Sequence, residues 1–173
     1  MRNITSLAAT LTLSLAMLAP FHTLSAEDES LEGSWNVVVT PNALFLCSND
    51  QQQVGPAQPP FNELASYAAG GVLIETNVQL NANSASLAPG FPFNASDGHG
   101  SWKGSDPYFA SKFRKYLFDP KGNYVANADL VEKISLEDEN SITGTFTIRL
   151  TFLNNSPAVC GSGSLTARRI KVP

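Results

Sequence analysis

Residues 145–152 read Thr-Phe-Thr-Ile-Arg-Leu-Thr-Phe, with Phe146, Ile148, Leu150 and Phe152 on one parity and Thr145, Thr147, Arg149 and Thr151 on the other. Successive side chains of an extended chain point to opposite faces, so this alternation predicts a strand with one apolar and one wet face. Such a strand buries its apolar row only against a facing sheet or inside a sheet closed on itself. The same period recurs along the chain. Residues 36–40 form a β-branched first strand stopped by Pro41, and 44–47 continue it. Residues 72–80 alternate Val72, Ile74, Thr76, Val78 and Leu80 against Leu73, Glu75, Asn77 and Gln79. Residues 98–104 form a short glycine-bounded strand, and 108–118, 124–137, 142–153 and 159–172 form longer ones.

The connections separate these runs. Ala69-Gly70-Gly71 is a turn, because glycine takes positive φ without steric cost. Residues 119–123 (Asp-Pro-Lys-Gly-Asn), 138–140 and 154–157 are further turns. Residues 48–60, rich in Gln and Pro, and 81–97, rich in Asn, Ser and Ala, read as two long exposed loops. Residues 61–68 suit either a short helix, through Phe61, Leu64, Ala65 and Ala68, or a hairpin arm. There is no repeat and no α/β alternation. The fold class is all-β, with about eight antiparallel strands. A closed up-and-down barrel removes the edges that an open meander exposes, and a two-sheet sandwich is the alternative.

The first residues carry a different pattern. Arg2, an apolar run over residues 7–19, and Leu24-Ser25-Ala26 before Glu27-Asp28-Glu29 have the form of a secretory signal peptide spanning 1–26. The run is shorter than the roughly 20 residues a bilayer span requires. No cysteine stands at the expected cut, which argues against a lipid anchor. Residues 27–173 then form a single domain, exported to a periplasm or to the medium.

Composition narrows the chemistry. With 11 Lys and Arg against 15 Asp and Glu, the chain has a net charge of −4, and no basic block provides a footprint for nucleic acid. His22 lies in the leader, so His99 is the one histidine of the domain, and no site can use paired histidines. Two cysteines exclude a thiolate zinc site. No metal and no cofactor are expected. Cys47 and Cys160 lie near the ends of the first and last strand regions, which barrel closure makes neighbours. In an exported chain a disulfide is therefore expected, with two buried free thiols as the alternative.

Gly33-Ser34-Trp35 before the first strand, with Arg168 or Arg169 ending the last, resembles the lipocalin and broader calycin signature. That resemblance implies that Trp35 plugs the barrel base and that a terminal arginine packs across its ring, a cation–π contact. Nearly the whole of residues 27–173 is also similar to a group of exported bacterial proteins without an assigned activity. The segments carrying that likeness are residues 70–76 (GGVLIET), 98–102 (GHGSW), the late Cys160-Gly161 and the terminal Ala167-Arg168-Arg169.

Several residues are candidates for chemistry. Glu132 shares parity with Leu130, Ile134 and Leu136, so an inward face places a carboxylate in an apolar cavity with a raised pKa. A rim position or a cationic partner is the plainer reading. Glu75, opposite in parity to Ile74 and Val78, is expected to point outward. His99 and Trp102 flank a glycine-rich strand where backbone approaches a ligand closely, or where a packing corner is relieved. Arg114 shares parity with Tyr108 and Tyr116 and meets an anionic head group if that face is inward, although Phe109, Phe113 and Leu117 look more like the buried face. Asp97, His99 and Ser101 are too close in sequence to converge as a triad.

Three functions remain in order. The first is a barrel that binds a small apolar ligand against Phe146, Ile148, Leu150 and Phe152, since about eight strands enclose room for one small ligand. The second is a protein-interaction module using loops 48–60 and 81–97. The third, which the resemblance suggests through allene oxide cyclases and other calycin-like cyclases, is a cofactor-free cyclase or isomerase with Glu132 assisting.

Overall fold

The computed structural model describes residues 30–48, 52–77 and 93–171. Residues 1–29, on which the signal-peptide reading falls, 49–51, 78–92 and 172–173, including parts of both long loops and the ends of two expected strands, lie outside the described residues. All regular structure among the described residues is β: β1 (Gly33–Pro41), β2 (Leu44–Leu46), β3 (Gln53–Gly55), β4 (Phe61–Ala68), β5 (Val72–Asn77), β6 (Asn94–Ala95), β7 (Gly98–Ser105), β8 (Tyr108–Phe118), β9 (Tyr124–Asp138), β10 (Ser141–Phe152) and β11 (Val159–Arg169).

Eight of these strands, in the order β1, β4, β5, β7, β8, β9, β10 and β11, pair antiparallel with their neighbours. β11 returns to pair with β1, from Trp35 opposite Arg169 to Pro41 opposite Gly163. The sheet is a closed up-and-down barrel and not a sandwich. Chain order and spatial order nearly coincide because the connections are short, as antiparallel neighbours allow.

The burial pattern follows the period of two. Trp35, Val37 and Val39 point inward from β1, Ala65 and Tyr67 from β4, and Phe109, Phe113 and Leu117 from β8. Residues 61–68 are thus the hairpin arm, since a helix would leave β1 and β5 as open edges. Small residues make room for large ones. A Cβ on Gly163 would sit 2.5 Å from the Phe146 ring, so that ring lies where β11 has no side chain.

One end of the barrel is plugged. Trp35 is fully buried and donates its indole N–H to the Leu31 carbonyl at 2.9 Å. The Arg169 guanidinium lies 4.3 Å from the Trp35 ring centre and donates to the backbone carbonyls of Ser30, Glu32 and Glu139. Arg168 points to solvent, opposite Asn36 and Ser141, so only the second of the two arginines takes part.

The other end holds Cys47 and Cys160, which form a disulfide with Cα atoms 5.1 Å apart. In the chain-entropy picture, closing a loop of 113 residues restricts the unfolded chain by up to about 4.7 kcal/mol. β2 extends the path of β1 along β11, with Leu46 opposite Val159 and Phe45 opposite Cys160. Two segments expected as loop are partly sheet. β3 pairs with β2, and β6 pairs with the end of β8, because both connections pass unpaired strand edges at this end.

Candidate functional site

The polar residues of interest lie inside the wall. Glu63 on β4, Glu75 on β5, Ser111 and Lys115 on β8, and Glu132 on β9 are all buried. The registers explain why. Antiparallel partners share a face, so Glu75, opposite inward-facing Ala65, points inward as well. Glu132 lies opposite Ser111 on one side and Phe146 on the other.

Two connected groups result. In the first, the Lys115 ammonium contacts the Glu75 carboxylate at 2.5 Å, with both side chains almost completely buried. Asn77 donates to the other Glu75 oxygen at 3.1 Å. Gly98, opposite Glu75 on β7, supplies the space: a Cβ there would lie 2.7 Å from Glu75 Oε2 and 2.6 Å from the Phe113 ring. Glu63 is buried in the same interior as Glu75 and is electrostatically coupled to it. Burial pushes Glu63 well above the usual carboxylate range; Glu75 and Glu132 push it the same way, and Lys115 opposes them.

In the second group, Glu132 Oε2 accepts from Ser111 Oγ at 2.5 Å and from the Tyr67 hydroxyl at 3.2 Å. Burial raises the Glu132 pKa, the two hydroxyl donors pull it back, and Glu75 raises it further. Tyr67 is held well above its ordinary value, first by burial and then by the charges of Glu132 and Glu63. Three carboxyls therefore share the interior with one ammonium. The set is suited to proton exchange and to orienting a polar group against apolar walls.

The sequence-level candidates distribute as follows. Glu132 points inward. Phe146, Ile148, Leu150 and Phe152 line the interior, Phe146 in the core toward the plug and Leu150 in the apolar cluster at the disulfide end. Trp102 packs edge-on to Tyr67 at 6.1 Å and donates its indole N–H to Ala68 O, so it serves packing at the β7 wall.

One leading expectation, that Glu75 faces outward, is corrected, as are the less favoured inward readings of Arg114 and His99. Glu75 is inward and 1% exposed, whereas Val72 and Ile74 are outside at 50% and 46%. Lys115 and the glycine opposite make that burial tolerable, and they outweigh the apolar alternation. Arg114 is on the outer face, in a two-pronged ion pair with Asp129 at 2.7 and 3.0 Å, because Phe113 and Lys115 take the inner positions. His99 is exposed, opposite Ile74 and Arg114, and does not reach the interior groups.

Glu63, Tyr67, Ser111, Lys115 and Asn77 were not singled out from sequence. Ser111 and Lys115 share parity with Phe109, Phe113 and Leu117, and that signal was available. No group of His, Cys, Asp and Glu among the described residues is arranged to hold a metal ion. No helix among them is long and apolar enough to cross a membrane. No protein-family model and no curated protein matches the chain.

Proposed function

We propose that this is an exported small β-barrel that takes a small, largely apolar ligand at the disulfide end of its interior. The ligand is oriented by the Glu63–Glu75–Lys115 group and by Glu132 with its two hydroxyl donors. The observation that carries the reading is the placement of three carboxyls and one lysine inside the barrel. Replacing a buried ion pair by packed apolar side chains is often neutral or stabilising by about 1–4 kcal/mol, so fold stability gives little reason for the network. Ligand sites, by contrast, combine apolar walls with a few convergent polar groups of shifted pKa.

The Trp35–Arg169 plug in an eight-stranded barrel supports a calycin-like assignment. The disulfide and the leader pattern support export. A surface-recognition role for 48–60 and 81–97 is the weaker reading, since β3 and β6 tie parts of both into the sheet.

One observation favours a second reading. Glu132, with a raised pKa and hydroxyls from Tyr67 and Ser111 on one oxygen, has the make-up of an acid–base group in a cyclase or isomerase. Unchanged turnover of an identified substrate by Glu132→Gln would remove that role.

Native mass spectrometry of the protein purified from its own host tests the main reading. A small molecule retained under native conditions and released on denaturation is expected. The mass of the disulfide-bonded chain alone overturns it.

A further inference from the structure

We propose that the outer wall of β7, β8 and β9 carries a separate site for a small organic anion, a carboxylate or sulfate with a short apolar body. A half-open depression of about 250 Å³ lies there, bounded by the outward side chains of Ser101, Lys103, Ala110, Lys112 and Val131, with inward-facing Trp102 and Ser111 behind it. The register explains its shape. Lys103, Ala110 and Lys133 lie in one cross-strand line, and Ser101, Lys112 and Val131 lie in the next. Ala110 is the small residue between two long ones, so the wall dips where its side chain ends.

The charge around the dip runs against the molecule's average. The chain is net −4, yet Lys103, Lys112 and Lys133 point outward from neighbouring positions. None of them is in an ion pair; the pairs among the described residues are Arg114–Asp129, Lys115–Glu75 and Lys171–Glu139. Asp129, the nearest outward acid along β9, is taken by Arg114 from two sides. Glu132 lies on the inner side of the same wall, held by Ser111 and Tyr67. Like charges gathered this way repel one another and attract an anion, an effect that a concave, partly apolar surface concentrates.

The floor decides the rest of the ligand. Outward-facing Ala110 and Val131 make the apolar floor, whereas Trp102 turns its ring inward onto Tyr67 and Phe109 and meets the dip only from behind. Ser101 adds a hydroxyl at the edge. The volume is below the roughly 300–1,000 Å³ of drug-sized sites, so the ligand is small. A bare inorganic anion would leave the apolar floor unused, and a neutral alcohol would leave the lysines unused.

Isothermal titration calorimetry of the full protein with hexyl sulfate, sodium sulfate and hexanol at one ionic strength provides the readout. A saturable heat with hexyl sulfate is expected, with sodium sulfate and hexanol at least tenfold weaker. The double variant Lys103→Gln, Lys112→Gln is expected to bind at least tenfold more weakly, and Ala110→Leu, which fills the dip and keeps every charge, likewise. Arg149→Gln, on the outer face of β10, should leave binding unchanged. Hexanol matching hexyl sulfate, undiminished binding by both dip variants, or no saturable heat overturns the proposal. Binding that survives both variants would place the probe in the barrel interior instead.

Discussion

Arg169 concentrates several interactions in one side chain. It covers the Trp35 ring and donates to three backbone carbonyls, tying the start of β1 and the β9–β10 turn to the end of β11. Arg169→Met keeps much of the apolar stem and removes the charge-assisted bonds, so a loss of about 2–4 kcal/mol in urea unfolding is expected. Arg168→Met, with its side chain in solvent, should change stability by no more than about 0.5 kcal/mol. Equal effects at the two positions would deny the plug its role. Glu63 makes a second residue-scale prediction, through pH. Its folded pKa lies above its unfolded value of about 4.3, so the stabilisation from its proton is complete below that value. That stabilisation is lost as pH rises through the folded pKa. Glu63→Gln is neutral at every pH and escapes the cost of ionising in a buried site, so the variant should gain on the parent between pH 4 and pH 8, by about 1–3 kcal/mol at the upper end. Asp119, Asp138 and Glu139, held low chiefly by hydrogen bonds from Asn123, Ser141 and Asn140, act in the opposite sense and lose stability as pH falls. Thermal melts of parent and variant across that range separate the two, and a constant offset would mean that Glu63 does not titrate as described.

At the scale of the element, each strand has its inner row set by its neighbours as much as by its own residues. β10 was legible alone, because four large apolar residues alternate with threonines and no other face competes. β5 was not. Its sequence places Val72 and Ile74 on one parity and Leu73 on the other, and only the pairing with β4 and β7 decides which row goes in. A buried glutamate looks outward in sequence until its lysine, forty residues later on β8, is known to lie beside it. The same reasoning hid Lys115 itself, although its parity with Phe113 and Leu117 was plain. Glycines inside strands carry the complementary information, since they mark where a neighbour's side chain fills the space. Gly163→Ala should force the Phe146 ring aside and cost about 1–3 kcal/mol by overpacking, measured as a lower urea midpoint at unchanged slope. A neutral result would mean that the ring is free to shift.

For the whole molecule, strand count, antiparallel order, barrel closure and the disulfide were readable because they rest on periodicity, turn chemistry and the positions of two cysteines. In the interior polar network Glu132, Ser111 and Lys115 carried a parity signal, whereas Glu63 and Glu75 become members only through register with their neighbours. The resulting barrel divides into a plugged end, rich in aromatic packing, and a disulfide end with its own apolar cluster. Glu63 and Asn77 stand opposite each other near the ends of β4 and β5 that face the disulfide end. The central claim is that this network serves a ligand and not the fold. The direct measurement is the urea unfolding free energy at pH 7 of a triple variant, Glu63→Leu, Glu75→Leu, Lys115→Met, against the parent, both free of ligand. The account predicts a folded barrel with equal stability or a gain of about 1–4 kcal/mol. A loss of about 3 kcal/mol or more, or a chain that does not fold, would contradict it and make the buried charges part of the architecture.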